Sequence, residues 1–106
     1  MLSQLDEKKI LITLVGILTA LSENCLLIDE AEKFYFSPNM YKRLKKQDCN
    51  EQILDIIARG CELEDIESLL PDNLQNDINK LLHESLDLLK GYQKFVKENW
   101  IETTVV

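Results

Sequence analysis

The sequence predicts an all-α protein, a compact bundle of four to six helices that ends in a long C-terminal helix. Three observations predict it. Ile10, Leu11, Leu14, Val15, Ile17, Leu18 and Leu21 recur at helical spacing. Leu74, Ile78, Leu81, Leu82, Leu88 and Leu89 form a second stripe with heptad-like spacing, in which 74, 78, 81, 85 and 88 alternate by four, three, four and three residues. Alternating strand patterns are missing outside Thr103-Thr104-Val105-Val106, which is read as a frayed tail beginning near residue 101. With 106 residues there is material for one hydrophobic core, hence one domain.

Each helix carries a start or stop signal. Ser3 with Asp6 makes a capping box ahead of a helix that reaches about Ser22. Gly16 on that helix either lets another helix approach closely or sits on an exposed edge. Asp29 with Glu32 suggests a second capping box before a short stretch from Glu30 to Phe36. Ser37 followed by Pro38 starts a separate helix to about Lys46, with a bend between. Asn50 caps Glu51 to Arg59, and Gly60 suits a left-handed terminus. Leu63, Ile66, Leu69 and Leu70 repeat helically until Pro71, and Asp72 with Gln75 forms a box for the last helix. Ile10–Leu21 and Leu74–Leu89 are the expected central pair. Ser85, inside the apolar stripe, is expected to bond back to the Leu81 carbonyl.

Length raises a question of assembly. An unbroken helix from Asn73 to Trp100 would span roughly 42 Å, whereas a globule of this size is roughly 33 Å across. Either the helix breaks at Gly91, or an end bearing Tyr92, Phe95, Val96 and Trp100 protrudes and is covered by a partner, for example as a homodimer.

Composition narrows the function. Twelve Lys and Arg against nineteen Asp and Glu give a net charge of −7, which disfavours nucleic acid and favours a basic partner. Lys42, Arg43, Lys45 and Lys46, with Tyr41 beside them, form the basic cluster. Cations are favoured anyway near a helix C-terminus, so nucleic-acid binding through Lys42–Lys46 is a lesser alternative. The apolar run Ile10–Leu21 is too short to cross a bilayer, so no membrane association is expected. Three cysteines without close pairing and an N-terminus without a secretion signal indicate a cytoplasmic protein.

No catalytic constellation, metal site or cofactor site is legible. His83 falls on a face with Lys80, Asp87, Lys90 and Lys94, away from the apolar stripe, so a Cys–His nucleophile is not expected. Zinc-ligand spacing is lacking. Glu62, Glu64, Asp65 and Glu67 lack the pattern of a calcium loop. They suit the positive start of a helix, and as a function they suit docking of a basic surface. Phe34-Tyr35-Phe36 cannot all enter one core, because consecutive helical residues diverge by about 100°. Tyr35 is expected at the surface, where with Tyr41 it could anchor an interface, unless the three aromatics form a lid on the bundle.

The stretches ILITLVGILTALSEN at Ile10–Asn24, IDEAEKFYFSPNM at Ile28–Met40 and GCELEDIESLLP at Gly60–Pro71 resemble a family of short bacterial proteins of unknown function. The resemblance covers about residues 8–92. It implies a bacterial cytoplasmic protein and no activity, ligand or functional residue.

The reading that follows is a non-enzymatic protein–protein interaction module: a regulatory, immunity or antitoxin-like binder. Its candidate surface is Tyr35, Tyr41, Glu62, Glu64, Asp65, Glu67, Tyr92, Phe95 and Trp100. A small-ligand-binding domain or enzyme with an apolar pocket is the alternative.

Overall fold

The computed structural model describes residues 1–102; the predicted frayed tail lies outside them from residue 103 onward. The described chain forms six α-helices and a closing 3₁₀ turn: α1 Gln4–Ser22, α2 Ile28–Phe34, α3 Pro38–Lys46, α4 Glu51–Gly60, α5 Leu63–Leu69, α6 Pro71–Lys90 and Trp100–Glu102. No strand occurs among the described residues.

α1 and α6 are the central, antiparallel pair. At one end Ser22 donates to Asn79 Oδ1 at 2.9 Å and receives the Gln75 amide at 2.9 Å. At the other, Tyr92, just beyond α6, donates to Glu7 at 2.8 Å. α1 is buried around most of its circumference: Ile10, Leu11, Leu14, Ile17, Leu18 and Leu21 all join the core. α4 adds Ile53, Leu54, Ile56 and Ile57, and α5 and α4 both pack on α6. Ser85 is fully buried and donates to the Leu81 carbonyl at 2.9 Å, as its place in the stripe predicts.

The helix starts divide into two groups. Ser3 and Asp6 form the predicted box, Ser37 receives the Met40 amide ahead of Pro38, and Asn50 receives the Gln52 amide. The other two boxes are corrected. α2 begins one residue earlier than Asp29, and Glu30 accepts the Leu27 amide at 3.0 Å. α6 begins on Pro71 with Leu70 before it, so Gln75 lies inside the helix and is spent on Ser22 and Asn79.

Gly16 faces open space, so of its two readings the exposed edge holds, while the reading of Gly60 is corrected. Gly60 has no left-handed backbone. It is required because a Cβ there would lie 2.5 Å from the buried Phe36 ring. The left-handed positions belong to Asn24 (φ 58°) and Asp48 (φ 56°). At each, the following cysteine amide returns five residues, Cys25 to Ala20 at 2.8 Å and Cys49 to Leu44 at 3.1 Å, a Schellman closure of α1 and of α3.

α6 stops at Lys90 with Gly91 after it, which resolves the length conflict. The chain then folds back as a strap along the first turns of α1. Buried Lys8 donates to the Gln93 carbonyl at 2.8 Å with its ammonium 5.8 Å from the centre of the Phe95 ring. Lys9 donates to the Trp100 carbonyl, and the Trp100 indole donates to the Phe95 carbonyl at 3.0 Å.

Glu7 joins three elements at that end. One carboxylate oxygen receives the Tyr92 hydroxyl and the other the Asn50 amide, at 2.7 Å, at the start of α4. Truncation by Glu7→Ala strands both donors. The expected loss is about 1–2 kcal/mol, read as a lower urea midpoint with unchanged slope.

Candidate interaction surface

Three of the large apolar side chains that face solvent come from two junctions. Leu27, 69% exposed, ends the α1–α2 loop; Leu69 (77%) and Leu70 (56%) form the α5–α6 corner. The same crowding argument applied to Phe34–Phe36 explains them. Leu26-Leu27 and Leu69-Leu70 are adjacent pairs, and adjacent residues near a helix end cannot both point into one core. In each pair the chain leaves at least one leucine outside.

Between the junctions lies a cleft of about 130 Å³, lined by Leu21, Leu26, Leu27, Ile28, Leu74 and Ile78 with Asn24, Gln75 and Glu67 at its edge. α1 supplies its last turn, α2 its first residues and α6 its first two turns. Leu70 stands one helical turn before Leu74.

The segments that line this cleft carry charge of one sign, although Glu62 and Asp77 among them border a neighbouring hollow with Arg59 and Lys80. Residues 21–32 and 62–79, which supply its lining, contain ten of the chain's nineteen Asp and Glu and no Lys, Arg or His. Asp29 and Glu32 of α2 bring carboxylate oxygens within 4.8 Å of one from Glu64 of α5. A shared hydrogen bond with Glu32, followed by that neighbour's negative charge, holds the Glu64 carboxyl above its ordinary range. Like charges are thus packed together here without a cation to offset them.

Other parts of the surface are mixed in charge. Between α4 and α6 a hollow of about 410 Å³ is lined by Glu51, Gln52, Asp55, Ile56, Glu84, Asp87 and Leu88. There Arg59 grips Glu84 with two nitrogens and pairs through Nε with Asp55 at 3.1 Å, so two of the four carboxylates are already neutralised. The hydrogen bond from Arg59 lowers the Glu84 carboxyl, the reverse of Glu64. Lys90 approaches Asp87 at 3.9 Å.

The residues expected to form the surface do not come together. Glu64 and Glu67 join the acidic rim of the cleft, and Asp65 lies exposed on the same helix. Glu62 instead edges a hollow shared with Arg59, Asp77 and Lys80. Tyr92, Phe95 and Trp100 lie half-buried in the strap, and they form no protruding helix end. Tyr41 is half-buried beside Lys45, whose ammonium sits 5.7 Å from its ring centre.

Tyr35 is a correction. It is 4% exposed and belongs to the core, whereas Phe34 is 60% exposed. α2 ends at Phe34, and Tyr35 leaves helical geometry at φ −141°, which swings its ring inward beside Cys49 and Phe36 and turns Phe34 out. The 100° rule identified the conflict among the three aromatics, but the helix end decided which one lost.

His83 is exposed on α6, as expected, and Cys49 is buried. Among the described residues no helix is long and apolar enough to cross a membrane.

A family model described as a protein of unknown function, DUF3969, matches residues 3–102. The chain belongs to DUF3969. Neither a curated protein nor a solved structure matches it. The match spans every helix of the DUF3969 chain and both leucine junctions.

Proposed function

We propose that this DUF3969 protein is a non-enzymatic protein–protein interaction module of the regulatory, immunity or antitoxin kind. The observation that carries this reading is the leucine-lined cleft beside the α1–α2 loop, with Glu67 at its edge and the carboxylates of Asp29, Glu32 and Glu64 gathered on the helices next to it. Exposed leucines gathered at one place cost free energy in water unless a partner covers them, and clustered like charges add to that cost. A fold that keeps both at one end is suited to binding, with charge guiding encounter and apolar contact holding the complex.

The three cysteines are free thiols, Cys25 exposed among them, which supports a reducing, cytoplasmic setting. The hollow between α4 and α6 supports a small-ligand reading less well. Two of its carboxylates are locked by Arg59, and Ile56 and Leu88 alone supply its apolar wall.

Photo-crosslinking tests the reading. A benzophenone side chain at Leu27 or Leu70 is expected to form a discrete heavier adduct with another protein in extract of the source organism, whereas one at Lys94, on the strap, is not. Adducts at all three positions alike, or none at the cleft, would refute it.

A further inference from the structure

Resting on the interaction reading, we infer that the cleft receives a basic amphipathic helix from a protein partner. One aliphatic side chain of that helix enters between Leu27 and Leu74, and its lysines and arginines face the carboxylates of α2 and α5.

The size of the cleft selects the anchor. Its volume of about 130 Å³ is close to that of an apolar cavity that holds a single benzene, roughly 150 Å³. It therefore takes one branched or aromatic side chain and no extended ligand. Glu67 is the one charged residue in its lining, so the seat itself is apolar and the charge lies around it.

Charge selects the partner's sign. Asp29, Glu32 and Glu64 hold three carboxylate oxygens within 4.8 Å of one another, and the segments lining the cleft contain no Lys, Arg or His. A basic side chain set there offsets a repulsion that the isolated protein bears alone. The same array argues against a second copy pairing through this end, because a two-fold contact would bring Asp29, Glu32, Glu64 and Glu67 against their own counterparts. It argues equally against a membrane surface, whose cytoplasmic leaflet is anionic.

Geometry selects a helix. The described residues contain no sheet edge to which a strand could add. Leu27 lines a seat between helix ends, and Leu70 stands exposed at the start of α6 four residues before the seat's Leu74, so that a neighbouring helix can place anchors three and four residues apart while its opposite turns reach α2 and α5.

The test uses the full chain and a fluorescein-labelled Leu/Lys peptide of about four helical turns with its leucines on one face. Controls are the same residues shuffled to abolish that face, and an all-lysine peptide. The amphipathic peptide is expected to bind about tenfold or more tighter than either control, more weakly as salt rises, with amide shifts confined to residues 21–32 and 62–79.

The double variant Leu27→Ser, Leu70→Ser is expected to weaken binding about tenfold or more. Both side chains are exposed, and serine is a better helix cap than leucine at position 27, so the fold is retained. The double variant Glu32→Gln, Glu64→Gln is expected to slow association and flatten its salt dependence. Equal binding of the shuffled peptide, indifference to the leucine variant, shifts centred on Glu51 and Asp55, or concentration-dependent self-association would each overturn the inference. Crosslinks at Leu27 and Leu70 together with no peptide binding would reject the basic helix and leave the interaction reading standing.

Discussion

Replacing Gly60 with valine is expected to lower stability by about 3 kcal/mol, and alanine by about 2 kcal/mol. A Cβ at position 60 would stand 2.5 Å from one carbon of the Phe36 ring and 2.7 Å from two more. The ring is 2% exposed and held within the core, so it has no free space into which to turn. Alanine would gain about 1 kcal/mol in helix propensity at the end of α4, and the overlap outweighs that gain. Pairing Gly60→Ala with Phe36→Leu tests the cause. The second change removes the atoms that clash, so the double variant is expected to be more stable than the two single losses added together. Urea unfolding of the four proteins measures this coupling. Simple additivity would show that the glycine serves something other than Phe36.

Above about pH 9 the protein is expected to lose stability steeply. Burial pushes the Cys49 thiol up to about 12 from its ordinary 9.0, with the charge of Glu7 adding to the effect. Burial pushes the Tyr35 hydroxyl up to about 12, and Cys49 adds to that. Tyr92 is raised as well, by burial first and then by its hydrogen bond to Glu7. In the unfolded chain these groups ionise at their ordinary values, while in the folded chain they stay protonated. The folded state therefore binds more protons across this interval, and stability falls as pH rises. The contribution is whole below about pH 9. It declines first as unfolded cysteine ionises, then as unfolded tyrosine does, until the folded groups ionise near pH 12. For Cys49 and Tyr35 together the loss by pH 11 is on the order of 4 kcal/mol. Urea midpoints at increasing pH measure it. Tyr35→Phe and Cys49→Ala are each expected to flatten the decline, even where they lower stability at neutral pH. Equal slopes in all three proteins would reject the assignment.

Which parts of this structure were legible in the sequence follows from the range of the forces involved. Caps at Ser3, Ser37 and Asn50 depend on side chains two or three residues from the amides they receive, so local spacing suffices. The pairing of α1 with α6 was legible because each shows a periodic apolar face, and two such faces in a small chain have little else to cover them. Gly60 was misread because its requirement comes from Phe36, 24 residues earlier, which no local rule detects. Tyr35 was misplaced because its direction depends on where α2 ends.

The interaction surface was half legible. Glu64 and Glu67 stood out as a charge run on one helix, but Asp29 and Glu32 meet Glu64 only through the packing of α2 on α5. Leu27 and Leu70 carry a signal in their doubled leucines, the same crowding of adjacent side chains that marks Phe34–Phe36. Lys8 and Glu7 read as ordinary first-turn charges, and only the returning strap gives them partners.

The antiparallel arrangement of α1 and α6 also governs how the protein can be held. Residue 1 and the last described residues lie by the strap, whereas the leucine-lined seat lies past the far end of α1. Nineteen residues of helix separate the two, about 28 Å. A molecule tethered to a sensor surface through its amino end would therefore stand with its acidic pole outward, open to whatever approaches from solution.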